Sequence, residues 1–353
     1  MKRGSFILLL VMVVGLMKTG VVFSDFSDRS KMVAAVKEAF KDDSDSAEKL
    51  IELIAKHGVD VIDKKGENFL HIAVQEGNED VLDLLFGERT VNGNGNGREI
   101  SEWGIVGSWM VNKQNALGRT PLHYAAESGK TRLAKLLLKE KANINIKDKT
   151  GKSPLMLAVD NERPGMIKFL LKNGANAQQA DFNGYMPIHY VAFREKEKLF
   201  NELLKGGADI NAQTKKPEQK DRVFGRTPLH IVIKTNKPDF AEFILSKKGI
   251  DLYKKDTEGN TVVHYAAAYG DYPFVLKLLK YVMRKDKQLL SLDEKNNKGE
   301  TPKVVARKNQ DKQVETLFGM KKKKLRAYLK NNKGKKGKKR KKNKKSRKTW
   351  FGK

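Results

Sequence analysis

A tetrapeptide suited to starting a helix recurs along this chain at nearly constant spacing. Its clearest copy is Thr120-Pro121-Leu122-His123. Variants follow at Ser153-Pro154-Leu155-Met156, Met186-Pro187-Ile188-His189, Thr227-Pro228-Leu229-His230, Thr261-Val262-Val263-His264 and Thr301-Pro302-Lys303-Val304, and an earlier one stands at Asn68-Phe69-Leu70-His71. His123, Met156 and His189 are 33 residues apart each time, and His230 to His264 is 34. A unit this short cannot bury an apolar face alone. Repeated at a fixed period, it predicts a solenoid in which each unit covers the next.

Local chemistry supports the same reading. Gly118 tolerates the positive φ of a tight turn. Thr120 is a good N-cap, because its hydroxyl accepts from an otherwise unpaired N–H. Pro121 follows at the first helical position, where no N–H is needed. Leu122, Ala125 and Ala126 give a short first helix with a small face, and Gly129 ends it. A second helix follows. Its tenth, fourteenth and fifteenth residues after each tetrapeptide are apolar in all six complete copies, for instance Leu133, Leu137 and Leu138, or Phe274, Leu278 and Leu279. The tenth and fourteenth share one helical face.

The pattern resembles the ankyrin-repeat family from about residue 63 to about residue 318. The resemblance implies an all-α repeat: a solenoid of paired antiparallel helices joined by β-hairpin-like turns. It also implies that the tetrapeptide histidines are structural, hydrogen-bonding within and between turns. Proteins are then expected to bind at the turn tips and the exposed side of the first helices. Counted from the leading residue of a repeat, with the tetrapeptide at six to nine, those are positions two, three, five, thirteen and fourteen. Most are polar here, as at Glu67, Gln75, Arg119, Glu127, Lys152 and Asp160. The middle differs. Phe182 and Tyr185 fall on one tip, Phe193 and Arg194 on the adjoining helix, Phe224 and Arg226 on the next tip, and Tyr269 one repeat later. Aromatic residues and arginine at exposed positions are hot-spot chemistry. This patch is the expected centre of a protein-binding surface. The alternative is that Phe182 and Phe224 pack between tips or beneath the insertion after Gln213.

Two insertions break the period, near residues 90–110 and 214–222. The first holds the alternating Asn/Gly run from Asn92 to Gly97, then Trp103 and Trp109. Those apolar residues either fold back on the repeats or await a partner. The second is charged and expected to be solvated. Residues 25–62 read as a divergent cap or first repeat, and 63–319 as the array.

The two ends have their own character. Residues 1–24 read as a secretory signal: Lys2 and Arg3, then a short apolar run, then small residues that place cleavage after Ser24. The expectation is a secreted or periplasmic protein. Alternatives are an uncleaved membrane anchor, or a nuclear location in a host cell. Residues 320–353 hold 19 Lys or Arg and no Asp or Glu, which predicts a disordered polybasic tail. Such a tail binds polyanions without selectivity, whether nucleic acid or an anionic surface. Lys338, Lys339, Arg340, Lys341 and Lys342 also resemble a nuclear-localisation cluster.

Catalytic chemistry finds no foothold. The chain has no cysteine, which excludes disulfides, thiolate nucleophiles and cysteine metal sites. Five of the six histidines occupy one repeated position, which is a stacking device and not a converging site. No phosphate loop or dinucleotide fingerprint is present. The expectation is a monomeric, non-enzymatic interaction scaffold with no cofactor, no metal and no small-molecule substrate, exported from the cytoplasm to bind a protein. The alternative is a nucleic-acid-associated or host-nucleus-targeted effector acting through its tail.

Overall fold

In the computed structural model of the protein, residues 65–77, 108–217, 223–285, 292–309 and 311–332 are described, and their regular structure is helical. The expected signal segment with its cleavage point after Ser24, the divergent cap, most of the first insertion, the middle of the second, and the cluster Lys338, Lys339, Arg340, Lys341 and Lys342 lie outside the described residues. The chain divides into two compact units, with the boundary after Ile231.

The first unit alternates two layers. The first helices are α1 (Phe69–Glu76), α3 (Pro121–Ser128), α5 (Pro154–Asp160) and α7 (Pro187–Arg194), preceded in the second repeat by the short α2 (Ser108–Val111). The second helices are α4 (Thr131–Lys139), α6 (Pro164–Lys172) and α8 (Glu197–Lys205), and α9 (Pro228–Lys234) carries the unit boundary. Each helix packs on its neighbour in its own layer: α1 on α3, α3 on α5 and α5 on α7, then α4 on α6 and α6 on α8. The partner within each repeat closes the pair. The tenth and fourteenth positions, such as Leu133 and Leu137 or Met166 and Leu170, are buried as their spacing predicts. The fifteenth, at Leu138, Leu171 and Leu204, is half-buried. The end of the first insertion turns inward at α2. There Met110 and Val111 are buried, and the Asn68 side-chain amide donates to Met110 O at 3.3 Å.

The turns are tied by backbone. Asp148 N–H donates to Lys152 O, Gly151 N–H to Asp148 O, and Lys149 N–H crosses to Leu117 O in the preceding turn. The same three-bond set recurs around Asn115 and Asp181. Gly151 sits at φ 81°, and a Cβ there would lie 2.4 Å from the Phe182 amide nitrogen, so the turn needs glycine for both conformation and space.

Histidine then links a helix start to the next turn. Thr120 N–H donates to His123 Nδ1 at 3.0 Å, and His123 Nε2 meets Lys152 O at 3.2 Å. His71 does the same with Asn68 N–H and Arg119 O, and His189 with Met186 N–H and Ala212 O. Because Nδ1 accepts, the proton must sit on Nε2 and the ring must be neutral.

The second unit comprises α10 (Pro238–Leu245), α11 (Val262–Tyr269), α12 (Tyr272–Lys285), α13 (Pro302–Lys308), α14 (Lys312–Gly319) and α15 (Lys322–Asn331). Helix α11 packs on α12, α13 and α14, and α12 packs on α10, α14 and α15. The histidine link recurs, with Thr261 N–H on His264 Nδ1 and His264 Nε2 on Glu300 O at 3.0 Å. Lys303, charged where other copies are apolar, is exposed.

Helix α15 corrects the expectation of disorder from residue 320. Within a run of lysines, Leu325 and Leu329 are four apart, on one helical face, and both are buried. The Tyr328 hydroxyl meets that of Tyr272 at 2.5 Å, and Lys280 Nζ donates to Asn332 O at 2.5 Å. Summed charge hid this apolar stripe. Helix α15 belongs to the fold, and only residues beyond 332 remain as the expected free tail.

Two measurements test this account. Burial pulls the His123 and His189 pKa values down from 6.5 to about 4, against the pull of their carbonyl partners. The unfolded chain therefore takes up protons below pH ~6.5 that the folded chain refuses until pH ~4. Stability from this source is complete above pH ~6.5 and is lost as pH falls toward ~4. Each ring contributes about 2 kcal/mol of loss between pH ~7.5 and ~5. In urea titrations His123→Gln should be less stable at the higher pH and lose about that much less on acidification. An equal acid loss in both proteins would assign the effect to carboxylates. Separately, ending the chain at Asn332 should leave Tm unchanged. Ending it at Met320 should lower Tm, and Leu325→Ala should cost about 2–5 kcal/mol.

Candidate functional site

The face of the first unit made by turns and first helices is built from three recurring side chains. The first is the residue that leads each turn. Asn115 Oδ1 accepts from Leu117 N–H at 2.9 Å and Arg119 N–H at 3.0 Å. Asp148 accepts likewise from Thr150 and Lys152, and Asp181 from Tyr185. All three are buried although polar, because they close the turn. In the repeat with the second insertion, Thr214 does this work: its Oγ1 accepts from Arg226 N–H at 3.0 Å, and its backbone pairs with Gly225 and Arg226.

The second is a tyrosine directly after the tetrapeptide. Tyr190 OH donates to Asp181 Oδ2. Tyr124 OH accepts from Asn115 Nδ2 and donates to Glu67, both at 2.8 Å. Burial raises the Tyr124 phenol to about 12, helped by the Glu67 carboxylate beside it. Burial and Asp181 raise Tyr190 as well. Glu67 is the counterpart. Burial opposes its charge, but hydrogen bonds from Tyr124, Gln75 and Asn115 and the Lys65 charge outweigh it, and its pKa is lowered.

The third is a bridge from position five to position thirteen, from the turn to the end of the first helix. Gln75 donates to Glu67 at 2.8 Å, Arg119 pairs with Glu127 at 2.9 Å, and Lys152 pairs with Asp160 at 2.5 Å. Arg194 adds a link between repeats, reaching Asp160 at 2.8 Å. In the fourth repeat the same two positions are Tyr185 and Phe193. Aromatic rings stand there in place of a polar bridge.

The other residues singled out by sequence fall as follows. Tyr185 is half-buried, with the rings of His189 and Tyr190 at 6.1 and 6.0 Å. Phe193 is 38% exposed. Arg194 lies 5.9 Å from the Tyr190 ring, on which Lys152 also sits at 5.3 Å. Phe182 is half-buried against Gly151 of the preceding tip, with Lys147 Nζ 5.5 Å from its ring. Phe224 and Arg226 are half-buried on either side of Gly225, their backbone pinned by Thr214 and Gln213. The structure thus groups Tyr185 and Arg194 around Tyr190, which the sequence reading passed over. In the second unit, Tyr269 is 39% exposed beside the Tyr265 ring at 5.7 Å.

Two depressions open on this face. One, about 410 Å³, lies among Glu67, Gln75, Asn115, Arg119 and Tyr124. The other, about 370 Å³, lies among Leu117, Arg119, Glu127, Asp148, Lys152, Leu157, Asp160 and Arg194. Among the described residues, no group of three or more His, Asp or Glu is placed to hold a metal ion, and no helix is long and apolar enough to cross a membrane.

The signal for the turn residues was present in the sequence. Asn115, Asp148, Asp181, Asp256 and Asn296 each stand five residues before the first residue of a tetrapeptide. The sequence reading counted repeat positions from these leading residues but gave them no role. The bridges also left a mark, complementary residues eight apart at Glu67 and Gln75, Arg119 and Glu127, and Lys152 and Asp160, which the sequence reading named singly and did not pair.

Comparison with known proteins agrees with this architecture. The family model described as ankyrin repeats (3 copies) matches residues 96–181 and 188–289, more than half of the chain. Over 93 residues the chain is 37% identical to BTB/POZ domain-containing protein 1 of Schizosaccharomyces pombe. That match spans 26% of this chain and only 6% of the yeast protein. Among solved structures, the ankyrin repeat domain of Bcl-3, of the IkappaB protein family, superposes with a TM-score of 0.56 at 23% identity, covering 72% of this chain and 98% of that one. A Bdellovibrio bacteriovorus predatory endopeptidase in complex with an immunity protein gives a TM-score of 0.45 at 28% identity, covering 57% of this chain and 97% of that one. With its repeated turns, helix pairs and histidine links, the chain belongs to the ankyrin-repeat family.

Proposed function

We propose that this chain is a non-enzymatic scaffold that recognises a protein partner on the turn-and-first-helix face of its first unit. The observation that carries the proposal is the change of chemistry at positions five and thirteen. Three repeats close those positions with hydrogen bonds or ion pairs, and the fourth offers Tyr185 and Phe193. Paired charges hold their neighbours in place before a partner arrives, which lowers the ordering cost of binding. Aromatic side chains beside an arginine then supply the contact area that dominates interface energetics. Export through residues 1–24 and a monomeric state belong to the same proposal, as does attachment of the tail to polyanions.

A second reading makes the tail the working part, in a nucleic-acid-associated or host-nucleus-targeted effector. Its support is the charge of residues 320–353, 19 Lys or Arg with no acid, including Lys338, Lys339, Arg340, Lys341 and Lys342. Binding of that kind falls steeply with salt and reads no sequence.

The two readings separate in one affinity-capture experiment on the full chain, the chain ending at Asn332, and the double variant Tyr185→Ala/Phe193→Ala. Under the scaffold reading, one protein is held by the first two and weakened at least about tenfold by the double variant, a loss typical of hot-spot truncation. The Tm of the variant should stay close to that of the parent. Capture of nucleic acid alone, lost on removing residues 333–353, would instead establish the tail.

A further inference from the structure

The second depression contains an exception to the turn chemistry. Asp148, Asp181 and Asp256 lead equivalent turns. Asp181 Oδ2 accepts from the Tyr190 hydroxyl, and Asp256 Oδ2 accepts from the Tyr265 hydroxyl at 2.7 Å. In the Asp148 repeat the residue after the tetrapeptide is Leu157, which brings no hydroxyl. The three hydrogen bonds to Asp148 come from Thr150 N–H, Thr150 Oγ1 and Lys152 N–H, and all fall on Oδ1. The cation nearest Oδ2 is Arg119, with Nε at 3.8 Å, beyond hydrogen-bond range. The side chain is only 4% exposed, and it lines the 370 Å³ depression whose apolar lining is Leu157 and Leu117.

We infer that this depression is a socket for a tyrosine side chain of the protein partner, whose hydroxyl donates to Asp148 Oδ2 as Tyr190 does to Asp181. The inference rests on the protein-binding reading above and names the chemistry that the partner brings. The lining selects the occupant. A deep carboxylate oxygen calls for a donor. Leu117 and Leu157 call for an apolar body. Arg119, 3.8 Å from Asp148 Oδ2, opposes a second cation at the acceptor, while Lys152 and Arg194, both paired with Asp160, favour the face of a ring beside them. A neutral aromatic donor meets all three demands.

The test uses the full chain and small probes, followed through the backbone amide resonances of Thr150, Lys152 and Leu157. N-acetyl-tyrosinamide should shift them saturably and bind about tenfold more tightly than N-acetyl-phenylalaninamide, since a hydrogen bond to a charged acceptor is at stake. N-acetyl-argininamide should leave them unmoved. Leu157→Tyr fills the socket from within and should abolish the response with no loss of Tm. Asp148→Asn should weaken the response without abolishing it while keeping the turn, because Asn115 leads an equivalent turn and its Nδ2 still donates to the Tyr124 hydroxyl. Equal binding of the tyrosine and phenylalanine probes, a response to the arginine probe, or a response that survives Leu157→Tyr overturns the socket. Failure of the broader reading looks different: the tyrosine response persists, but no captured protein is weakened by Tyr185→Ala/Phe193→Ala.

Discussion

One imidazole ring holds two repeats in register. Nδ1 of His123 takes the N–H that opens its own helix, and Nε2 gives its proton to Lys152 O of the following turn. Both partners are main-chain atoms. The link therefore fixes the offset between repeats without asking anything of the side chains on the tip. The turn-leading acids and amides work in the same way, since Asp148 and Asn115 bind backbone N–H groups. A scaffold closed by backbone, one histidine and one turn residue leaves its surface positions open to variation. The arrangement requires a neutral ring, and burial enforces that neutrality.

Much of this was legible in the sequence. The tetrapeptide located each first helix, and the tenth and fourteenth positions after it named buried residues such as Leu137 and Phe240. These signals are local, repeated and carried by residue type. What escaped was of another kind. Thr214 replaces an acid and stands beyond an insertion, so neither its chemistry nor its spacing announces a turn. Leu325 and Leu329 lie inside a lysine run, and average charge conceals a two-residue stripe. In each case a single structural contact outweighs composition.

The proposed binding face was legible only in part. Tyr185 and Phe193 could be seen as aromatic at positions where neighbouring repeats are polar. That Arg119 and Glu127, or Lys152 and Asp160, are mutual partners depends on how a turn leads into its helix. Such half-exposed pairs add little to stability. Their effect is to hold long side chains in fixed positions, Arg119 over the Tyr124 ring and Lys152 with Arg194 over the Tyr190 ring. Phe182 illustrates the limit of position counting. It occupies a tip position, yet its ring lies on Gly151 of the neighbouring turn.

The residue after the tetrapeptide shows how one column can change the hydrogen bonding of the turn while the fold stays constant. Tyr124, Tyr190 and Tyr265 satisfy the turn residue of their own repeat. Ile231 has no such duty, because its turn is led by the Thr214 hydroxyl and not by an acid. At Leu157 alone, among the described residues, an aspartate turn is paired with a side chain that cannot reach it. Backbone N–H groups still hold Asp148 Oδ1, so the turn keeps its shape and the histidine link its register. The second carboxylate oxygen is then left without a hydroxyl donor from its own repeat. A preformed acceptor results from removing one hydroxyl, without any ligand-specific residue being added and without loss of the stacking on which the array depends.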